Sequence, residues 1–170
     1  MSVVCSPVVD KRVMSQLAPL LRYPHESLHT LPAFEAAAIP HDAGDALRDF
    51  LAEVSVLSLG EQQSLYTDTF DLAAVCSPYL GVHLFDEESR DRARLMVGLR
   101  MNGVEGPELP DHIAEVLTFA SRFNDDDWGD LVELVLLPAL ARMEEILRPS
   151  ANPYRHLIAA AAALCRGGPS

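Results

Sequence analysis

The string His25-Glu26-Ser27-Leu28-His29 carries the most suggestive chemistry in this sequence. It matches HExxH, in which two imidazoles one helical turn apart hold a zinc ion and the glutamate acts as base for a zinc-bound water. Pro24 stands directly before the string and Pro32 follows it closely, so a helix here has little room. No third-ligand motif follows in the sequence. The pattern therefore favours an exposed segment at the start of a short helix, and a small zinc hydrolase using these residues stays an alternative.

Asp111-His112 is a second pair whose side chains are suited to chemistry. Asp111 follows Pro110, and as the N-cap of a helix it would accept backbone amide hydrogen bonds worth about 1 kcal/mol. His112 would then lie in the first turn, where the helix dipole lowers the pKa of an imidazole. The residues alone leave two interpretations open: a plain helix cap, or a polar pair that faces a binding site.

An aromatic stripe with a carboxylate at its end lies between these two strings. Tyr66 and Phe70 are one helical turn apart, and Asp71 follows directly. Such a stripe more often packs in a core than lines a binding surface, but a carboxylate beside it either caps a neighbouring helix or faces a cleft. Tyr79 and Phe85 extend the same apolar region, and they would line any groove that stays open to solvent.

The charge of the chain excludes several classes of partner. It has 13 Lys and Arg against 25 Asp and Glu, which gives a formal net charge of −12. Nucleic acid phosphates and anionic membrane surfaces repel such a protein, so neither is an expected partner. An acidic surface instead favours cationic partners such as a basic peptide.

Cysteine content and hydropathy indicate a cytoplasmic protein that does not insert into a membrane by itself. Cys5, Cys76 and Cys165 form no CxxC pair and are odd in number, which is typical of reduced thiols. The N-terminal sequence lacks the pattern of a secretory signal, and the richest apolar run, residues 134–140, is too short to span a bilayer. The sequence has no glycine-rich phosphate loop, and we expect no cofactor.

The apolar pattern is helical almost throughout and predicts the elements that must position these side chains. With 170 residues, 49% of them hydrophobic, the chain suits one domain over residues 1–170 with a substantial core. Alternating patterns typical of strands are absent from the sequence, which predicts an all-α helical bundle of eight to nine helices. Its main boundary signals are a stop at Tyr23-Pro24, a capping box at Ser58 and Glu61, a cap at Asp125 or Asp126 before the longest helix, a kink at Pro138, and a cap at Asn152-Pro153.

Residues 64–85 (SLYTDTFDLAAVCSPYLGVHLF) and 108–120 (ELPDHIAEVLTFA) together resemble the two signature stretches of the NarJ/TorD family, cytoplasmic chaperones that assemble molybdenum enzymes. In that family the first stretch reads roughly Tyr-x-x-x-Phe-Asp and then Ser-x-Tyr-Leu, and the second reads Leu-Pro-Asp-His-Leu. After Phe70-Asp71 the chain departs from the family, because it has Leu-Ala-Ala-Val-Cys where members often have arginines. The matching residues are Tyr66, Phe70, Asp71, Ser77, Tyr79, Leu80, Leu109, Pro110, Asp111 and His112.

The resemblance implies a single all-α, TorD/NarJ-like domain that is not an enzyme. It implies recognition of the N-terminal peptide of the catalytic subunit of a respiratory nitrate reductase, which is retained until its molybdenum cofactor is inserted. Another molybdoenzyme of the dimethyl sulfoxide reductase family is the alternative client, and the chaperone would be a monomer or a weak homodimer. Asp111 would pair with a basic residue of the peptide, and His112 would hydrogen-bond to it. The residues implied to bind the peptide are Tyr66, Phe70, Asp71, Tyr79, Asp111 and His112.

Overall fold

Helices form the regular structure of the chain in the computed structural model, which describes residues 9–30 and 39–167. Those two ranges contain one isolated bridge and no β-strand, so the predicted all-α class is confirmed. They contain nine α-helical segments, two of which are continuous across a π-helical turn, in agreement with the predicted eight to nine helices. In chain order the elements are α1 (Lys11–Leu17), a 3₁₀ turn (Ala18–Leu21), α2 (His41–Val54), α3 (Leu59–Phe70), α4 (Leu80–Leu84), α5 (Asp91–Met101), α6 (Ile113–Thr118), a 3₁₀ turn (Ala120–Arg122), α7 (Asp125–Leu131), the π turn (Val132–Leu136), α8 (Leu137–Leu147) and α9 (Tyr154–Arg166).

The predicted capping box starts α3, the helix that carries the aromatic stripe. The hydroxyl of Ser58 accepts a hydrogen bond from the backbone amide of Glu61 at 3.2 Å. In return, the carboxylate of Glu61 accepts from the amide of Ser58 at 2.7 Å. Two backbone donors that a helix start leaves unpaired are thereby satisfied, which sets the register of the residues that follow.

The longest helix runs over residues 125–147 and contains Pro138. Its N-cap is Asn124, whose side-chain oxygen accepts from the amide of Asp127 at 2.8 Å, one residue before the predicted cap at Asp125 or Asp126. The sequence predicts a kink at Pro138; just before this residue the helix has a π turn, in which the amide of Leu137 donates to the carbonyl of Val132. A proline removes an amide donor from the ladder, and one wide turn accommodates the mismatch.

α9 lies at the centre of the bundle, with apolar side chains buried around most of its surface, including four of its five consecutive alanines. Small side chains allow α2 and α8 to pack close against it. Tyr154 at its start packs on Phe50 of α2, with ring centroids 5.4 Å apart. At the solvent edge of this contact, Glu53 of α2 binds Arg155 and His156 of α9 through bonds of 2.9 Å each. The contact between α2 and α9 thus combines a core with an ionic edge.

The HExxH string does not lie in a helix, contrary to the prediction of a short helix here. Residues 22–30 form bends and irregular chain, in which His25 and His29 are exposed as expected. Pro24 accounts for this in part, since proline holds the residue before it in an extended conformation. The remainder of the predicted short helix, with Pro32, falls in residues 31–38 and lies outside the described residues.

Cys76 and Cys165 are free thiols buried in the core. Burial raises the pKa of each thiol to about 12, which makes both unreactive at neutral pH. Cys5 lies outside the described residues. None of the helices in residues 9–30 and 39–167 combines the length and hydropathy that crossing a bilayer requires.

Candidate functional site

The two sequence stretches that carry the family resemblance meet directly in space. The chain at Tyr79 pairs with the chain at His112 in an isolated antiparallel bridge. The amide of Leu80 donates to the carbonyl of Asp111 at 2.8 Å, and the amide that follows His112 donates to the carbonyl that precedes Tyr79 at 2.9 Å. Residues about thirty positions apart thus form one backbone contact, at the point where α4 and α6 begin.

Asp111 is fully buried at this contact, and its carboxylate is occupied by partners of the same chain. It accepts from Arg92 of α5 through two bonds, Nε–Oδ2 at 2.7 Å and Nη2–Oδ1 at 3.2 Å. It also accepts from the amide of Gly81 at 3.2 Å. The prediction that Asp111 caps the following helix is therefore wrong, because a bidentate charged partner outcompetes the backbone amides for the carboxylate. Its expected pairing with a basic residue of a peptide stays a prediction; in this structure Arg92 occupies the carboxylate.

His112 is the N-cap of α6 in place of Asp111. Its Nδ1 accepts a hydrogen bond from the amide of Ala114 at 3.1 Å, so the neutral ring carries its proton on Nε2. Burial is the main cause that lowers the pKa of His112, and nearby carboxylates oppose it. The direction of that shift agrees with the prediction, and desolvation by burial is its largest cause. Tyr79 packs edge-on against the ring, with centroids 5.3 Å apart.

A cleft of about 350 Å³ opens beside the bridge. Five of the six residues that the resemblance implied line it together, and Asp111 lies outside the lining, against Arg92. The cleft is therefore built where α3, the bridge and the loop before α6 meet. Its lining consists of Arg22, Tyr23, His25, Tyr66, Phe70, Asp71, Pro78, Tyr79, Pro107, Glu108 and His112.

The aromatic stripe of α3 belongs to both the core and the cleft. Tyr66 and Phe70 are 8% and 4% exposed, and their ring centroids lie 5.3 Å apart. Behind them Phe70 packs on Tyr154 of α9, and in front Tyr23 stands edge-on to Tyr66 at 5.8 Å. Burial raises the pKa of Tyr66 to about 12, so its hydroxyl remains a neutral donor to the carbonyl of Leu21. The stripe thus provides a rigid aromatic floor.

The ionised groups at the cleft leave it negatively charged. Arg22 donates to the buried carboxylate of Glu115 at 2.9 Å, so the positive and negative charges of this pair cancel. Asp71 and Glu108 are exposed, and Glu108 accepts a hydrogen bond from the hydroxyl of Tyr79 at 3.1 Å. Burial, followed by the charge of Glu108, raises the pKa of Tyr79 and keeps that hydroxyl protonated. The two exposed carboxylates favour a positively charged ligand group.

Sequence reasoning missed six of the lining residues: Arg22, Tyr23, His25, Pro78, Pro107 and Glu108. The sequence marked Tyr23, with Pro24, only as the end of a helix. The ring of Tyr23 faces the cleft at this break. Glu108 stands at the start of the second stretch, and a carboxylate there was the available signal. Arg22 carries no local signal, because its partner is distant in sequence.

His25 meets the cleft as an aromatic neighbour of Tyr23, with ring centroids 5.5 Å apart. Because residues 25–29 are not helical, the two imidazoles of the HExxH string are not held one helical turn apart. Among the residues that the structure describes, no group of three or more His, Cys, Asp or Glu side chains is placed to hold a metal ion.

Comparison with known proteins agrees with the resemblance. A sequence model of the family described as nitrate reductase delta subunit matches residues 36–160. Over 118 residues the chain is 32% identical to the nitrate reductase molybdenum cofactor assembly chaperone NarJ of Escherichia coli strain K12, and equally to that of Escherichia coli O157:H7. The aligned region covers 61% of this chain and 48% of each relative, so the chain spans about half the length of the curated relatives it matches. Since the family match covers well over half of the chain, the chain belongs to the nitrate reductase delta subunit family.

Proposed function

We propose that this chain is an assembly chaperone of a respiratory nitrate reductase, which binds the N-terminal peptide of the catalytic subunit and supports insertion of its molybdenum cofactor. It acts by holding its client and not by catalysis. The observation that carries the proposal is the bridge between Tyr79 and His112, since it joins the two family stretches beside one cleft. The assignment to nitrate reductase is supported by the family match and by the names of the similar chaperones.

The aromatic floor is the first element of the proposed recognition. A cleft of about 350 Å³ lies at the lower end of the range of ligand pockets, ~300–1,000 Å³. It therefore admits a few anchor side chains of a peptide, while the peptide backbone follows the rim. Tyr23, which is 40% exposed, and the partly exposed Tyr79 offer ring surface to such anchors at little cost in conformational entropy.

The two exposed carboxylates are the second element. Asp71 and Glu108 lie on the same cleft and would pair with a lysine or arginine of the peptide. Asp111 has a different part in the proposal, because its carboxylate is buried against Arg92 and is not free to bind a ligand. It positions the bridge instead, and His112 presents its remaining ring edge to the cleft.

We further propose that the protein acts in the cytoplasm as a monomer or a weak homodimer. Two buried thiols, Cys76 and Cys165, are suited to a reducing compartment, where they need no disulfide partner. The net charge of −12 disfavours tight self-association unless the charge is locally compensated.

Calorimetric titration with peptides from the N-terminus of the catalytic subunit of a respiratory nitrate reductase tests the cleft. We expect saturable binding that weakens between low and moderate salt, and at least about tenfold weaker binding to the variant Asp71→Asn/Glu108→Gln. Asp68→Asn is the matched control, since it removes an exposed carboxylate of α3 that does not line the cleft. The assignment is abandoned if scrambled peptides bind equally well, or if the control weakens binding as much as the double variant.

A further inference from the structure

One face of α5 carries an apolar stripe that points to solvent. Ala93, Met96, Val97 and Met101 recur at helical spacing, by which a helix normally faces a core, and Arg100 lies beside them. The opposite side of α5 already packs inward through Leu99 and the partly buried Leu95. α5 therefore has a second apolar side, which its packing within the described chain does not cover.

The stripe forms a shallow groove with the loop before α6. Leu109 and Pro110 complete a concavity of about 630 Å³ with the residues of the stripe. Val97 is 61% exposed, Met101 is 83% exposed and Leu109 is 48% exposed. Contiguous apolar side chains at such exposure mark an interaction surface, because leaving them in water is unfavourable. Methionines additionally adapt to the shape of a partner.

The charged side chain that lines the groove is positive, in a segment that is acidic as a whole. Residues 90–101 contain four arginines and one aspartate, whereas residues 86–111 together carry seven carboxylates against the same four arginines. Arg92 is bound by Asp111, and Arg94 pairs with Asp91. Arg100 lines the groove and donates to the carbonyl of Val104, so its positive charge is not offset by that bond. A cationic side chain beside an apolar groove favours a ligand that carries a carboxylate at that position.

We propose that this groove binds an acidic amphipathic helix of a partner protein. The apolar stripe and Leu109 would bury the apolar face of the helix, and Arg100 would pair with a carboxylate on its flank. The ligand has the opposite charge to the one proposed for the cleft, so the two surfaces select different segments. They are neighbours, because Glu108 lines the cleft and Leu109 lines the groove. One partner can therefore occupy both, although the groove does not depend on what the cleft binds.

Two matched designed peptides test the groove. Each has ~18 residues, long enough for a helix to form on the surface, with leucines at helical spacing and either glutamates or lysines at the remaining positions. We expect the glutamate peptide to bind saturably, at least about tenfold more tightly than the lysine peptide, with amide NMR shifts centred on α5. Arg100→Glu should reverse this preference, and Val97→Glu should abolish binding.

The controls separate the groove from a general charge effect and from self-association. Val56→Glu adds the same charge at an 80% exposed valine outside the groove and should leave binding unchanged. Circular dichroism and thermal unfolding verify that each variant folds. Equal binding of both peptides, or insensitivity to Val97→Glu, overturns the proposal. So does sedimentation showing that the free chain dimerises through Val97, since the occupant would then be a second copy.

Discussion

Arg92 of α5 and Asp111 form a bidentate ion pair, with Nε–Oδ2 at 2.7 Å and Nη2–Oδ1 at 3.2 Å. The carboxylate is fully buried while the guanidinium side chain is 30% exposed. The pair connects α5, which carries the proposed groove, to the bridge beside the cleft. It therefore offers a direct test of what holds the site together.

Asp111→Ala should lower the free energy of unfolding by about 2 kcal/mol, because it leaves Arg92 and the amide of Gly81 without their acceptor. Urea unfolding measures this loss. Arg94→Ala is the control, since it removes an exposed pair with Asp91 in the same helix and should cost less than about 0.5 kcal/mol. Equal losses in the two variants would contradict the structural importance of Asp111.

Gly81→Ala should be destabilising for a steric reason. A Cβ at this position would lie 2.6 Å from Cγ of Arg92 and 2.8 Å from Oδ2 of Asp111. The ion pair would have to move, at a cost of ~1–3 kcal/mol in thermal or urea unfolding. Gly98→Ala in α5 meets no atom within 4 Å and should instead stabilise by about 0.5–1 kcal/mol. A Gly81→Ala protein as stable as wild type would show that the site tolerates this side chain.

His112 should make stability depend on pH on the acidic side of neutrality. Burial lowers its pKa in the folded protein, so between that value and the ordinary value near 6.5 the unfolded chain binds more protons. The contribution of His112 to the free energy of unfolding is therefore fully present above about pH 6.5. It is lost as the pH falls toward and through the pKa of His112 in the folded protein. His112→Asn keeps an N-cap oxygen but cannot titrate, and it should flatten this part of the pH profile.

His112→Ala should in addition lose the cap, at a cost of about 1 kcal/mol at pH 7.5. Nitrogen-15 NMR of the imidazole gives an independent readout, since the bond from Ala114 requires the proton on Nε2. A ring protonated on Nδ1 at pH 7.5 would refute the capping role.

Glu53 should contribute to stability at a lower pH. Hydrogen bonds from His156, and then from Arg155, lower the pKa of its carboxyl group. The contribution is present above the unfolded value near 4.5 and is lost as the pH falls through the folded pKa. Because the side chain is 37% exposed, solvent screening limits the effect to less than about 1 kcal/mol. Glu53→Gln should reduce the loss of stability below pH 5, measured as the urea concentration at the unfolding midpoint, and should leave peptide binding unchanged. If the midpoint falls with pH as steeply as in the wild type, the bonds of Glu53 to Arg155 and His156 are not its cause.

Arg22 and Glu115 should behave as a unit. Glu115 is fully buried and Arg22 is its charged partner, so Arg22→Met should cost about 3 kcal/mol by leaving a buried carboxylate unpaired. The double variant Arg22→Met/Glu115→Met should recover most of that loss in urea unfolding, because the uncompensated charge is gone. A double variant no more stable than Arg22→Met would mean that packing, and not charge, dominates at this position.

Local signals in the sequence were sufficient for much of the fold. The capping box at Ser58 and Glu61 formed as predicted, because its two hydrogen bonds lie within one helical turn. The cap of the longest helix was displaced by one residue to Asn124, since asparagine and aspartate cap equally well and the pattern cannot separate neighbours. The short helix expected after Pro24 did not form in residues 22–30, where the aromatic packing of Tyr23 takes its place.

By itself the sequence determined the helical class, the start of α3, the acidic charge and the two stretches that mark the family, because these depend on composition and on residues a few positions apart. Tertiary structure decided how the stretches meet and which polar groups remain free. Asp111 could accept from the amides that follow it or from Arg92, nineteen residues earlier, and the packing of α5 settled this in favour of Arg92. His112 therefore caps α6, and Asp71 and Glu108 are the exposed carboxylates of the cleft. Long-range pairing of charges depends on where the helices pack, which no local pattern specifies.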